Sequence, residues 1–232
     1  MKSFLALLVM LITTPAWATF TLVQAKVNSA CASSTCTVTV TSTGAGHGII
    51  VGIAMSSNVT ISSVSGGGTY TLCGVGCQKG NATTGWTDMA YTTNSTSGAT
   101  GITITFSAGA SGVAFAWEVS SSSTISFDVV GGVLQTTNCT SCTGASLGLT
   151  GSNDFIAAIA SCGGTCSAVT PYTSDNSFPS GDGQAHALNT GSGTAPTWTQ
   201  SPTNPIALAS VAFKDAGGGG GSTAVGGKPV IF

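Results

Sequence analysis

The sequence contains very little charge. Only 5% of its 232 residues are charged, with five lysines, no arginine and a single glutamate among seven acidic residues. An ordinary soluble domain carries about 25% charged residues. Without arginine there is no basic patch to neutralise phosphates, so nucleic acid is not an expected partner. Two histidines and one glutamate also leave little material for acid–base catalysis.

The sequence also lacks helical periodicity. No long window shows a 3.6-residue apolar period, and no segment after the N-terminus is apolar over the length of a membrane helix. Short β-branched runs alternate with period two instead, at Thr37–Thr41 and Ile102–Phe106. In 113–119 the large apolar residues take alternate positions, which predicts one buried face and leaves Glu118 on the opposite, solvent-facing side. Gly-rich turns separate these runs, as in all-β sandwiches and barrels.

The N-terminus has the three parts of a secretory signal peptide. Lys2 supplies a positive start, Phe4–Ile12 is an apolar run, and Ala16-Trp17-Ala18 fits the small-x-small cleavage pattern. We expect residues 1–18 to be removed and the mature chain to be secreted, either extracellular or at the cell surface. The alternative for this run is a buried N-terminal strand.

Export makes the cysteines interpretable. An even number of cysteines in an exported chain is typical of disulfides, and the eight fall into four close pairs. Four local disulfides are the simplest interpretation, although eight cysteines allow about 105 connectivities. Zinc and a redox C-x-x-C motif are weaker alternatives, because no histidine adjoins a pair and no helix follows the motif. The predicted disulfides are Cys31–Cys36, Cys73–Cys77, Cys139–Cys142 and Cys162–Cys166.

An internal duplication organises the chain. Residues 36–55 align with 142–161 at a constant offset of 106, and 103–119 align with 197–213 at an offset of 94. Both copies begin Cys-Thr, pass a Gly-rich turn and reach an apolar strand. The sequence therefore predicts an antiparallel β-sandwich, of jelly-roll or Ig-like type, from two pseudo-repeated halves at 31–120 and 139–214. Because the connector 120–138 is itself strand-like, one continuous domain over 19–215 is favoured over two.

The C-terminal part, residues 216–232, has a different composition. Five consecutive glycines begin at Gly217 and are typical of a flexible linker. The chain ends in the short apolar peptide Lys228–Phe232. This peptide is either a frayed terminus or a tethered strand that pairs with a sheet edge of the same or a neighbouring molecule.

The strand and turn segments GIIVGIAM, ISSVSGGGTYT, SGATGITITFSA, VAFAWEVS and NDFIAAIAS resemble a loose group of secreted bacterial and phage-associated β-sandwich proteins without an assigned activity. The resemblance covers about residues 30–215. It implies a jelly-roll or Ig-like sandwich and an extracellular role, and it carries over no catalytic residue.

The sequence offers a few candidate binding residues. Trp86, Trp198 and Tyr172 would be sugar-stacking rings if exposed. Asp175 and Asp182 lie in a loop rich in oxygen donors and are the candidates for a calcium site, although their spacing matches no EF-hand. Apart from this calcium alternative, no cofactor is expected.

Catalysis has weaker candidates. Glu118 would need a second carboxylate within about 9 Å for glycoside hydrolysis, such as Asp88 or Asp128. His47 and His186 are predicted to be exposed loop residues.

The residues thus favour a non-catalytic extracellular structural or adhesive protein, with self-association through the C-terminal tail as its assembly mechanism. Its expected partner is an extracellular glycan, another surface polymer or a second copy. A lectin-like carbohydrate-binding module is the alternative, and a glycoside hydrolase the second alternative.

Overall fold

A computed structural model describes residues 19–175 and 181–216. The predicted signal peptide and the C-terminal tail from Gly217 onward lie outside these residues. The described chain forms antiparallel strands, because β-branched runs alternate with turn residues along it. These strands are β1 (Phe20–Cys31), β2 (Thr35–Thr39), β3 (Gly48–Met55), β4 (Ile61–Ser65), β5 (Thr71–Leu72), β6 (Lys79–Asn81), β7 (Gly85–Thr92), β8 (Gly101–Phe106), β9 (Gly112–Ser121), β10 (Ile125–Thr143), β11 (Asp154–Cys162), β12 (Thr165–Thr170), β13 (Thr173–Ser174), β14 (Gly183–Thr190) and β15 (Thr197–Asp215).

The strands form two large sheets and one small sheet. The first large sheet has the order β1-β9-β3-β7-β5, with β6 beside β7, and the second has the order β10-β15-β11-β14-β13. The small sheet has the order β2-β8-β4. Its counterpart in the second half is formed by the end of β10, the start of β15 and β12. The all-β antiparallel sandwich is therefore confirmed, and within the described residues no helix is long and apolar enough to cross a membrane.

Three apolar clusters show that the sheets are stacked in layers. The middle cluster joins the inner faces of the two large sheets through side chains such as Phe115, Phe155 and Phe213. The first outer cluster lies between the first large sheet and the small sheet, and another lies on the outer side of the second large sheet. Central strands β3 and β11 are consequently buried on both faces over most of their length, which explains their continuous apolar sequences.

The two halves share one strand order, which supports the duplication, but the offset of 106 is wrong for the central strand. Ile49 faces the first outer cluster, whereas Phe155 faces the middle cluster. The pairing of β3 with β9 and of β11 with β15 places Gly48 opposite Val119 and Phe155 opposite Phe213. With β9 and β15 related by 94, β3 and β11 are related by 107. An alignment that is wrong by one residue places every side chain on the opposite face of the strand. The similar small-residue composition of the two strands did not reveal this error.

The four disulfides join the cysteine pairs expected from the spacing. Cys31–Cys36 and Cys139–Cys142 lie at matching corners, where the chain leaves a large sheet for an outer layer. The other two pairs have no counterpart in the opposite half. Four disulfides in a chain of this size indicate an oxidising environment.

Candidate functional site

The aromatic candidates do not form an exposed stacking platform. Trp198 is 0% exposed and Tyr172 is 6% exposed, and both belong to the outer core of the second half. Trp86 is half-buried in β7. The reason is the added outer layer, which covers a face that would be open in a two-sheet sandwich.

The calcium candidates are occupied by protein donors. The Asp175 carboxylate accepts a hydrogen bond from Trp117 Nε1 at 2.7 Å and contacts His186 Nδ1 at 2.6 Å. Asp182 accepts from the Cys162 backbone N–H at 3.0 Å, and burial raises the pKa of its carboxyl to about 7. Among the described residues no group of three His, Cys, Asp or Glu side chains could hold a metal ion. Residues 176–180 between them are not described.

The expectation that His186 is an exposed loop residue was wrong. His186 is a buried residue of β14. Because β14 packs against the first half, the Asp175–His186 pair meets Trp117 of β9 across the interface between the halves. The sequence offered a weak signal for this arrangement, since His186 lies between apolar alanines in 183–188. A carboxylate that orients a histidine resembles half of a catalytic triad, but here the opposite carboxylate oxygen is used by a structural tryptophan.

Glu118 is likewise buried, with 2% of its surface exposed, which corrects the expectation of a solvent-facing residue. Its Oε1 accepts from the Gly44 backbone N–H at 2.7 Å and lies 2.6 Å from His47 Nδ1, and its Oε2 accepts from Gln24 Nε2 at 2.6 Å. His47 is only partly exposed, because its ring lies against Gly44 and Glu118. Glu118 therefore anchors the loop that leads into β3.

The position of Glu118 does not suit glycoside hydrolysis. Asp88 pairs with Ile53 and Glu118 pairs with Ile49 on opposite sides of β3, so the two acids are separated by about 13 Å along the strand direction. The carboxyl groups of glycosidases are separated by about 5 to 9.5 Å. Asp88 is itself buried and accepts from the backbone N–H groups of Ile61 and Met89.

The second half contains a separate charged cluster at the end of its large sheet. Asp128 Oδ2 accepts from the Thr150 backbone N–H at 2.8 Å, and Asp128 Oδ1 lies 3.4 Å from Lys214 Nζ. These contacts to Thr150 and Lys214 lower the pKa of Asp128 despite its burial. Asp154 lies directly opposite Lys214 in the pairing of β11 with β15. Nothing in the sequence distinguished Asp154 or Lys214, because single charges at the ends of apolar strands resemble surface residues.

Asp154 is the unusual member of this cluster. It is 0% exposed, and neither carboxylate oxygen has a hydrogen-bond partner within residues 19–175 and 181–216. Burial, together with the nearby carboxylates of Asp128 and Asp215, raises the pKa of Asp154 to about 7 in spite of Lys214. Near neutral pH this side chain is therefore a substantially protonated carboxylic acid within a group of charges.

A cleft of about 490 Å³ lies where the halves meet. Its walls combine backbone and small side chains of both halves, among them Ser29, Thr84, Ser111 and Ser161, with Asp182 at one side. The cleft is open and has no large apolar wall, so it resembles a groove between domains more than an enclosed ligand pocket.

The outer surface of the small sheet is covered by hydroxyl groups. Thr37 and Thr103 are cross-strand partners whose Oγ1 atoms are 2.8 Å apart, and Ser65 continues the row on β4. The alternation of buried and exposed residues along β2 shows that these side chains point outward. We call this surface the first hydroxyl face; it consists of Thr35, Thr37, Thr39, Ser63, Ser65, Thr103 and Thr105, none of them charged.

The second half presents a similar surface on its outer strands. Thr143, Thr197 and Thr170 form one row across β10, β15 and β12, and the Thr143 and Thr197 hydroxyls are 3.3 Å apart. We call this surface the second hydroxyl face; it consists of Ser141, Thr143, Thr165, Thr170, Thr197 and Thr199. Strand geometry spaces the hydroxyls by about 4.8 Å between strands and about 6.7 Å along each strand.

No protein-family model matches the chain, and no curated protein matches it significantly. Function therefore has to be inferred from the chemistry of the residues described above.

Proposed function

We propose that this chain is a secreted, non-catalytic structural or adhesive protein that binds uncharged hydroxylated polymers through its two hydroxyl faces. The observation that carries the proposal is the pair of regular threonine and serine rows on the outermost layers. Each row offers hydroxyl donors and acceptors beside small methyl groups, without a charge that would demand an ionic partner. An extracellular glycan is a polymer of this kind.

The rest of the molecule supports a scaffold more than a catalyst. The carboxylates of Glu118 and Asp175 are each held by several protein donors. Four disulfides and three apolar clusters hold the faces in place. A preorganised face loses little conformational entropy on binding, which favours adhesion through many weak contacts.

A carbohydrate-binding module based on aromatic stacking is the alternative. Among its three candidate rings only Trp86 is not buried, and it lies beside Gly80, where a larger residue would meet the indole ring. Under this alternative Trp86→Ala would abolish glycan binding, whereas changes on the hydroxyl faces would leave it intact.

Co-sedimentation of the purified protein with insoluble cellulose and with insoluble chitin tests the proposal. We expect retention on at least one polymer that changes little with added salt, because screening affects only charged contacts. Thr37→Lys with Thr103→Lys should weaken retention at least about tenfold, or about 1.4 kcal/mol, and Thr143→Lys with Thr197→Lys should have a similar effect.

The matched control adds the same charge elsewhere on the surface. Ser122→Lys with Val75→Lys changes two exposed positions outside both faces, and Val75 is 84% exposed. This control should bind like the unchanged protein. Equal retention of all three double variants would contradict binding through the hydroxyl faces. Absence of retention of the unchanged protein on both polymers would contradict adhesion to cellulose and chitin.

Self-association is the assembly mechanism that we propose for the tail. Deletion of residues 228–232 should abolish oligomers seen by sedimentation velocity. A monomer before the deletion, or oligomers that persist after it, would contradict this mechanism.

A further inference from the structure

Lys214 and Asp128 come from the last and first strands of the second half, and they meet beside a buried acid. Lys214 Nζ lies 3.4 Å from Asp128 Oδ1, and the Asp128 side chain has no exposed surface. Lys214 Nζ also donates to Thr150 Oγ1 at 2.7 Å. The amine is thus held against the carboxyl group by the same threonine that binds that carboxyl group.

Asp154 supplies the third group. It faces Lys214 across the β11–β15 pair, is fully buried and has no hydrogen-bond partner for either oxygen among the residues that the structure describes. A buried carboxyl group without a partner is costly unless it is protonated or has a role. Lys214 and Asp128 both act electrostatically on Asp154, although neither is hydrogen-bonded to it, so a small side-chain movement brings a protonated Asp154 within reach to carry protons between them.

We propose that Lys214 and Asp128 form an intramolecular amide bond, with Asp154 as the proton carrier. The Nζ atom of Lys214 forms a bond to Cγ of Asp128, and one Cγ–O bond of Asp128 breaks. The lysine ammonium gives up two protons, and both leave with the released carboxylate oxygen as one molecule of water. Asp154 donates one proton to the leaving oxygen and regains one from Nζ, so it is unchanged at the end.

The environment favours this condensation. Loss of water from an ammonium and a carboxylate is unfavourable in bulk water, but the fixed placement of Lys214 Nζ 3.4 Å from Asp128 Oδ1 gives the attack a high effective molarity. The raised pKa of Asp154 keeps a transferable proton beside the pair near neutral pH. The bond would tie β10 to β15, the strands that carry part of the second hydroxyl face.

Tryptic digestion and mass spectrometry of the reduced, full-length protein provide the test. Lysines 79 and 214 bound the peptide 80–214, which contains Asp128, and Lys228 precedes a proline that blocks cleavage. With the amide bond, trypsin cannot cleave at Lys214, and a single peptide 80–232 appears with the mass of one water missing. Separate peptides 80–214 and 215–232 with full masses would overturn the proposal.

Variants assign the roles of the three residues. Lys214→Arg keeps the positive charge but should give a full-mass chain, whereas the control Lys79→Arg should leave the linkage intact. Asp154→Asn keeps the size of the side chain and should reduce the linked fraction at least tenfold while thermal unfolding remains cooperative. A fully linked Asp154→Asn protein would overturn the role of Asp154, and a linked Asp128→Ala protein would overturn the bond to Asp128.

Discussion

The two halves of the molecule share their strand order but place their charges differently. At equivalent positions the first half has Val23, His47 and Ser120, and the second half has Asp128, Asp154 and Lys214. The first half instead has a buried acid at Glu118, where the second half has Ala212. A layered sheet stack therefore preserves its apolar core while the polar residues at the sheet ends change.

The two halves nevertheless share one contact, a carboxylate that binds the loop before the central strand. In both halves a loop enters the central strand, and a backbone N–H four residues before that strand is bound by a buried carboxylate. Glu118 on β9 binds Gly44, whereas Asp128 on β10 binds Thr150. Gly44 is partly buried and Thr150 is exposed, so the two halves share the loop contact to a carboxylate, but the fold leaves open which strand provides it.

The largest loss of stability is expected from removal of Glu118, which anchors the loop that leads into β3. Glu118→Ala would leave the Gly44 N–H and the His47 side chain without this acceptor, whereas Gln24 Nε2 would keep its bond to the Thr41 carbonyl. We expect a loss of about 3 kcal/mol in the free energy of unfolding, measured in urea. Glu118→Gln keeps one acceptor oxygen and should cost less, about 1 to 2 kcal/mol. Equal losses for both variants would mean that packing, not the acceptor, matters.

The unpartnered acid of the second half should make stability depend on pH. Because the folded-state pKa of Asp154 is raised from 3.8 to about 7, its stabilising effect is complete below the unfolded pKa and is lost as pH rises toward 7. Asp154→Asn should remove this loss, worth about 3 kcal/mol between pH 5 and about pH 8. Urea unfolding in the Lys214→Arg background measures it without interference from an amide bond.

Asp182 provides the comparison for this pH effect. Burial also raises the pKa of Asp182 to about 7, but two protein donors oppose the shift, and Asp182 remains partly exposed at the inter-half cleft. Part of the decline in stability should therefore persist in Asp154→Asn and disappear only in Asp154→Asn with Asp182→Asn. A wild-type stability that stays constant over the same range would contradict a raised pKa at either site.

The fold was predictable from the sequence because its signals are periodic and local. Alternation identified the inner face of β9, and short cysteine spacings identified the disulfides. The duplication was visible in the sequence, but the alignment that makes residues of β3 equivalent to residues of β11 was not. Both strands are apolar on both faces, so their sequences contain no alternation that would fix which side chain points inward.

The polar sites were less predictable, because they depend on how layers cover one another. Glu118 and His186 were expected at the surface, and Trp198 was a candidate stacking ring only if exposed, but all three are buried. Alternation says which residues share a face, but it does not say whether a third or fourth layer covers that face. The hydroxyl faces show the converse, since no further layer of the described chain covers the threonines of β2.

The corner disulfides should contribute equally in the two halves. Each closes a short loop, so the chain-entropy model gives about 2 kcal/mol for either one. Cys31→Ala with Cys36→Ala and Cys139→Ala with Cys142→Ala should therefore lower the free energy of unfolding to a similar degree in urea. A much larger loss for one pair would show that its half relies on the cross-link more than its counterpart does.

The smallest effect is expected at the contact that joins the halves. Trp117→Phe keeps the aromatic packing in the middle cluster but removes the Nε1 donor to Asp175, which should cost about 1.5 kcal/mol. Tyr91→Phe is the control, because Tyr91 occupies the position equivalent to His186, and it should cost less than about 0.5 kcal/mol. Tryptophan fluorescence and circular dichroism during urea unfolding should give one coincident transition in both variants, since the apolar interface still couples the halves. Two separate transitions in Trp117→Phe would instead show that this hydrogen bond, and not the shared core, makes the duplicated halves fold as one unit.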